Sequence, residues 1–385
     1  MSDGLTRRGF LHGSALAAAA AAGLPACKPS DGAKTPPPAK AGGAAPAAAG
    51  LKTPRLLVEL PPSCNTPDGM CLLADNSVIV SVPNFNDATA PPLLIRITPD
   101  NKAEPFYLFP TPYPGLPKGA DRIAPMGISR DPASGALYLA DNQFSPENRQ
   151  KSRLWRLTVK DGKVEKMALV AGGFNIANGT AVHGGYVYIT ESTLEQVYNP
   201  TMKSAVMRFK LDEENVALKT PLASDPHVLA TFESRKDQWP FGADGITFDS
   251  KGNLYVGLFS DGVMYKITFD TGGRVKSSDV FAQAPGTLVS CDGMCCDPRT
   301  DRIYMADCAG NAVQVLHPDG RVETLARNGD VADAAAKRTG LLDEPSEALV
   351  RGNEIVVANM DWPMDGFVNK KPYRMPATIS AIPIG

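Results

Sequence analysis

The sequence predicts an all-β chain folded as a six-bladed β-propeller. One strand pattern recurs six times at intervals of roughly fifty residues, the length of four short strands with their turns. Glycine (35) and proline (34) are both abundant, as many tight turns require. The sixth repeat lacks a fourth strand, and the start of the domain contains a strand free to supply it. A chain of 385 residues with 43% hydrophobic residues has enough apolar material for one large core. Lys plus Arg (39) nearly balances Asp plus Glu (41), for a net charge of −2, and no long basic run interrupts that balance. Such a chain has no electrostatic footprint for a nucleic-acid partner.

The first 27 residues read as an address rather than as fold. Thr6-Arg7-Arg8-Gly9-Phe10-Leu11 resembles a twin-arginine export signal, and an Ala-rich apolar stretch follows that is too short and too weakly apolar to remain as a span. Leu24-Pro25-Ala26-Cys27 resembles a bacterial lipobox, with Cys27 as the lipidated residue. Acyl chains at Cys27 would then hold the protein at a membrane without a transmembrane helix. Lys28 in the next position favours the outer membrane over the inner, by resemblance to bacterial sorting signals. The expected location is therefore periplasmic or anchored at the outer membrane. Residues 28–53, with Pro36-Pro37-Pro38 and several Ala pairs, cannot bury apolar surface and read as a disordered tether. The propeller domain is expected over 54–385.

Each repeat opens with a small or acidic residue, usually followed by Gly, and then runs into two strands. The six openings are Pro67-Asp68-Gly69-Met70, Pro125-Met126-Gly127-Ile128, Ala177-Asn178-Gly179-Thr180, Ala243-Asp244-Gly245-Ile246, Cys291-Asp292-Gly293-Met294 and Pro345-Ser346-Glu347-Ala348. Third strands follow in turn at Leu93-Leu94-Ile95-Arg96-Ile97, Leu154-Trp155-Arg156-Leu157 and Val206-Met207-Arg208-Phe209. The pattern continues at Val263-Met264-Tyr265-Lys266-Ile267 and Ala312-Val313-Gln314-Val315-Leu316, and Val322-Glu323-Thr324-Leu325 exemplifies a fourth strand. The last repeat ends on Thr378-Ile379-Ser380-Ala381-Ile382, so Arg55-Leu56-Leu57-Val58-Glu59-Leu60 is expected to complete it and close the ring. Closure of that kind removes two exposed sheet edges.

These strand starts, above all Ala243-Asp244-Gly245-Ile246-Thr247-Phe248-Asp249 followed by Gly252-Asn253-Leu254-Tyr255-Val256, resemble the senescence marker protein, gluconolactonase and luciferin-regenerating enzyme family. The resemblance covers 54–385 and implies a regucalcin-type propeller with a calcium-dependent lactonase site. It implies metal ligands at Asn178 and Asp244, with Asp68 where the family has a blade-one Glu, and Asp244 acting as general base as well. Asp292 lies outside the family pattern. It is the second candidate for the base and could instead be a ligand.

The residues support a cation on physical grounds as well. The first strand of each blade lines a propeller's channel, so Asp68, Met126, Asn178, Asp244, Asp292 and Ser346 should face one axis. Carboxylates converging there repel one another unless a cation sits among them. Oxygen donors without His or thiolate select calcium or magnesium, and a wide irregular ring favours Ca2+. A divalent cation of this kind can polarise a lactone or ester carbonyl and acidify water.

Substrate contacts are expected from Met126, Trp239, Phe241 and Ser346, with Arg122 as the displaced equivalent of an Arg in the family's sugar-lactone binders. The apolar members point to a substrate more hydrophobic than a sugar lactone. His183 is expected to be a core residue, the rival reading being a catalytic imidazole. Six cysteines besides Cys27 suggest disulfides in an exported domain. A four-residue hairpin loop at 298–301 would set Cys291 opposite Cys308, and Cys64 with Cys71 would close a small loop around Asp68. Two functions remain open: a metal-dependent hydrolase of lactones or esters acting as a monomer, and a non-catalytic exported propeller that binds ligands or proteins around a structural metal.

Overall fold

β-branched and aromatic residues alternate between Gly-, Asn- and Asp-bearing turns throughout the domain, and the computed structural model forms strands at each of these runs. It describes residues 50–385 except 88, 144–148, 195–200, 235–238, 240, 371–372 and 385. Arg7, Arg8, Cys27 and the Pro/Ala-rich stretch to residue 49 lie outside the described residues.

The chain opens with β1 (Arg55–Glu59). Blade one is β2 (Met70–Leu72), β3 (Val78–Val82), β4 (Leu93–Ile97) and β5 (Ala103–Leu108). Blade two is β6 (Pro125–Arg130), β7 (Leu137–Asp141), β8 (Ser152–Lys160) and β9 (Lys163–Phe174). Blade three is β10 (Ala177–His183), β11 (Tyr186–Glu191), β12 (Met202–Lys210) and β14 (Val228–Ser234), while the short β13 (Val216–Ala217) pairs with β9 of blade two. Blade four is β15 (Ala243–Phe248), β16 (Leu254–Leu258), β17 (Val263–Phe269) and β18 (Val275–Gln283). Blade five is β19 (Met294–Asp297), β20 (Arg302–Asp307), β21 (Ala312–Leu316) and β22 (Val322–Arg327). Blade six is β23 (Pro345–Arg351), β24 (Glu354–Asn359) and β25 (Thr378–Pro383), and β1 completes it as the outermost strand, antiparallel to β25. The expected six blades and the expected closure are both present.

The core is divided among the joints between blades. Leu349, Val356 and Ile379 of blade six pack on Val78, Val80 and Ile95 of blade one, and equivalent layers of fully buried side chains fill the other five joints.

Nearest the axis the blades are too close for side chains. A Cβ on Gly69 would lie 2.6 Å from Met126 O, on Gly127 2.4 Å from Asn178 O, and on Gly179 2.4 Å from Asp244 O. The series continues with Gly245, 2.0 Å from Asp292 O, and Gly293, 2.5 Å from Ser346 O. Each glycine therefore receives the backbone of the next blade's strand start. At the sixth joint the residue is Glu347, and Ser346 bridges instead, its hydroxyl donating to Pro67 O at 3.0 Å.

The loops that carry these strand starts are held by side chains at or just past the end of each second strand. Asp141 accepts from Ala124 N, Glu191 from Asn175 N and Ile176 N, and Asp307 from Val289 N and Ser290 N. Asn84 and Asn359 do the same for Asn65 N and Asp343 N. In blade four the polarity reverses, with the Ser260 hydroxyl aimed at Trp239 O and Phe241 O.

Before blade six, the helix α1 (Ala334–Lys337) delivers a fully buried Lys337, whose Nζ lies 2.7 Å from Asp361 Oδ2 and 3.0 Å from Asp343 Oδ2. Lys337→Met should lower stability by about 3–5 kcal/mol, because two buried carboxyls lose their counter-charge. Thermal denaturation checks this, and an unchanged melting temperature would contradict it.

Candidate active site

Asp68, Asn178, Asp244 and Asp292 come together at the axis, each 4–7% exposed. All four line two chambers on either side of them. The larger chamber, of mixed lining, has a volume of about 240 Å³ and is also lined by Arg130, Thr180, Thr247 and Glu347 together with apolar residues such as Ile128, Ile246 and Leu349. The other, about 40 Å³, is walled by Met126, Phe241, Phe259, Trp362 and Phe367, with Asn142 among them.

Burial is the main force on the ring acids. It pushes the Asp68 carboxyl up to about 7 against a hydrogen bond from Gly69 N–H. Asp244 and Asp292 also stand well above the carboxylate range, first from burial and then from repulsion, by Asp68 and Glu347 at Asp244 and by Asp244 and Asp68 at Asp292. Glu347, half-buried beside Asp68, is raised to about 8, chiefly by loss of hydration. Asn178 Nδ2 donates to Asp244 Oδ2 at 2.7 Å, and Gly293 N donates to Asp292 Oδ1 at 2.9 Å. Asp68 Oδ2 is buried with no hydrogen-bond partner.

These residues fit a hard divalent cation in their donor chemistry: the ring offers only oxygen ligands, and one of those oxygens is an orphan. Among the described residues, no group of three or more His, Cys, Asp or Glu is gathered closely enough to hold a metal. The acids face one another across the channel, and a bound cation would have to draw them inward.

Glu347 was not among the expected site residues. In blades two, three and four the pairing of the first two strands breaks over a three-residue step, such as Pro125 to Ile128, whereas in blade six it breaks between Pro345 and Glu347. The shorter step turns Glu347 into the channel. It puts Ser346, fully buried, into the joint with blade one, so Ser346 lines neither chamber. An acid in the glycine position of the sixth repeat was the available signal.

Other expected contacts are placed differently. Arg122 reaches away from both chambers, donating to Pro83 O and Ala90 O. Trp239 stands behind the apolar wall, edge-on to Phe259 and Phe367, with its indole N–H on Asp365 O at 2.9 Å. Phe241 and Met126 do line the apolar chamber. His183 is exposed at the end of β10 and stacks on Phe248 at 4.4 Å, so it is neither a core residue nor near the ring acids.

Neither expected disulfide is present: Cys64, Cys71, Cys291, Cys295, Cys296 and Cys308 are all free. The hairpin pairs Asp297 with Arg302 as expected, but Asp292 N donates to Ala306 O while Ala306 N donates to Gly293 O. Two residues thus face one, a bulge that shifts the register before Cys291 can meet Cys308. Cys64 packs at the joint with blade six and Cys71 at the joint with blade two, on opposite faces of blade one. Alkylation in denaturant without reductant should accordingly modify all six thiols; an adduct count of two or four would mean bridges form.

No family model matches the sequence, and no curated protein matches it. Solved structures share its fold. A calcium-binding regucalcin from Agrobacterium tumefaciens superposes with a TM-score of 0.55 at 12% identity, over 87% of this chain and 95% of that one. A gluconolactonase from Xanthomonas campestris gives 0.52 at 14% identity, over 88% and 98%. A PQQ-bound aldose sugar dehydrogenase from Streptomyces coelicolor also gives 0.52, at 13% identity, over 88% and 99%. The six-bladed arrangement of gluconolactonase and regucalcin is therefore that of this chain, and the architecture hosts more than one chemistry.

Proposed function

We propose that the protein is a metal-dependent hydrolase of lactones or related esters. The observation that carries this reading is the buried ring of Asp68, Asn178, Asp244 and Asp292, with Glu347 beside it, on the floor of an apolar chamber. A divalent cation bound there, calcium by preference, supplies Lewis acidity to a carbonyl oxygen and acidifies water. Asp68, Asn178 and Asp244 would hold it, with Asp292 or Glu347 able to complete the oxygen set. Asp244, fixed by the Asn178 carboxamide, takes the proton from the attacking water, and Asp292 is the second candidate for that task. The apolar wall excludes water from the acyl or aryl part of the substrate.

The test is a panel of γ- and δ-lactones and aryl esters assayed with calcium and with chelator. Hydrolysis that calcium supports and chelator abolishes is the expected result. A panel without turnover, in a protein that still binds calcium, would favour the alternative of a non-catalytic binding propeller with a structural metal. The small volume of the apolar chamber is the observation on that side.

We further propose that the chain is exported by the twin-arginine route, anchored by lipid at Cys27 and works as a monomer in the periplasm or at the outer membrane. Arg7-Arg8, the Ala-rich stretch and Cys27 support the export part. Cys27→Ser should move the protein from the membrane to the soluble fraction; persistence in the membrane pellet would refute the anchor.

A further inference from the structure

We propose that the apolar chamber selects lactones or esters whose apolar body carries an N–H or O–H donor near the carbonyl, and that Asn142 is the residue that reads this donor. The inference rests on the hydrolase reading only for the word carbonyl; the binding preference stands or falls separately.

Asn142 is 3% exposed and follows directly on β7. Its backbone is fixed, since its N–H donates to Ala124 O at 2.9 Å. Its side chain lines the chamber that the ring acids floor, and its Oδ1 is buried without a hydrogen-bond partner. An amide oxygen buried among aromatic and thioether groups is unfavourable until a donor reaches it. Phe241, Phe259 and Phe367 offer apolar surface, and no donor among the described residues reaches this oxygen, so an occupant of the chamber can supply one. A site that holds an unsatisfied acceptor discriminates strongly against ligands lacking the matching donor. A polyhydroxylated sugar lactone would press hydroxyls against the Phe241, Phe259 and Phe367 rings, which cannot partner them. A lactone with an apolar substituent and one donor matches the wall.

The chamber of about 40 Å³ holds only a few water molecules. Admitting such a ligand therefore requires part of the wall to move, and the connection between β24 and β25 contributes Trp362, Met364 and Phe367 to that wall. Met360 and Asp361 are anchored, by Met360 N–H on Glu344 O and by the Lys337 ammonium on Asp361, while the part beyond is held by Trp239 Nε1–H on Asp365 O and by the Trp362 ring stacked on Phe85 at 5.4 Å, among other contacts. Trp362 belongs to the wall that must shift, so entry is reported by its fluorescence.

The experiment titrates the full-length protein, with calcium, against three probes of equal chain length. They are an α-acylamino-γ-butyrolactone, its N-methyl derivative and an α-alkyl-γ-butyrolactone. Binding is read from the stopped-flow change in tryptophan fluorescence before turnover. The wild type should bind the N–H probe at least about tenfold more tightly than the N-methyl probe. Asn142→Leu should abolish that preference while binding the alkyl lactone as well as the wild type or better, and Asn142→Ala serves where the leucine variant fails to fold. Equal wild-type affinities for the first two probes overturn the proposal, as does a preference that survives in either variant; the wild-type comparison decides alone if neither variant folds. A preference seen without hydrolysis of any probe would sink the hydrolase reading and keep this one. Calcium-dependent hydrolysis of all three without preference would do the reverse.

Discussion

Gly245→Ala is expected to destabilise the domain by about 4–5 kcal/mol, a drop of roughly six or seven degrees in melting temperature. The added methyl would lie 2.0 Å from Asp292 O and 2.7 Å from Met294 Cε. The methionine end can swing away, but the carbonyl belongs to the innermost backbone of blade five. Relief comes only by opening the joint, which unpacks Tyr255 and Met264 from Ile303 and Met305. The effect is steric, since Gly245 has no left-handed backbone to lose. Gly329→Ala is the matched control, with nothing within 4 Å of the new methyl, and should stay within about 0.5 kcal/mol of wild type. Differential scanning calorimetry of the two variants decides the matter: equal melting temperatures would mean that the joint is looser than described.

Asp244→Ala is expected to lower kcat/KM for lactone hydrolysis by about 10³-fold, within the range of a lost general base. Its second signature is thermodynamic. Burial and the charges of Asp68 and Glu347 oppose ionisation of Asp244, so removing this carboxyl relieves repulsion in the metal-free protein. The metal-free variant should therefore melt no lower than metal-free wild type. Calcium should raise the wild-type melting temperature by binding the folded state, and this increment should shrink or vanish in the variant. A variant that keeps both the calcium increment and the hydrolysis would remove Asp244 from the site.

The ring was readable in advance because one steric demand recurs at its joints. Each of Gly69, Gly127, Gly179, Gly245 and Gly293 receives a neighbouring carbonyl, so each strand start announces itself with a glycine, and the residue before it faces the axis. Asp68, Asn178, Asp244 and Asp292 could be found that way. Blade six breaks the rule by one residue, and in a strand one residue separates the channel side from the joint side. That step exchanged Ser346 for Glu347. The cysteine pairing failed for a related reason: the bulge opposite Ala306 exists to present Gly293 to Ser346, a contact with another blade that hairpin counting does not see. Trp362, Phe367 and Asn142 lie in connections after second strands, where no period marks the inward face. Arg122 has a long side chain that finds carbonyl acceptors in a loop far along the sequence, which local reading does not foresee.

The pairing of β1 with β25 also orders events during synthesis. The first strand to leave the ribosome has as its partner the last, so at ordinary elongation rates it waits on the order of twenty seconds to a minute. Its pattern of exposed ends and half-buried middle suits a segment that must stay soluble while unpaired. Five blades can assemble in that interval, but the circle is sealed only once translation has passed Thr378, so a nascent chain stalled before that point remains an open arc with two sticky ends.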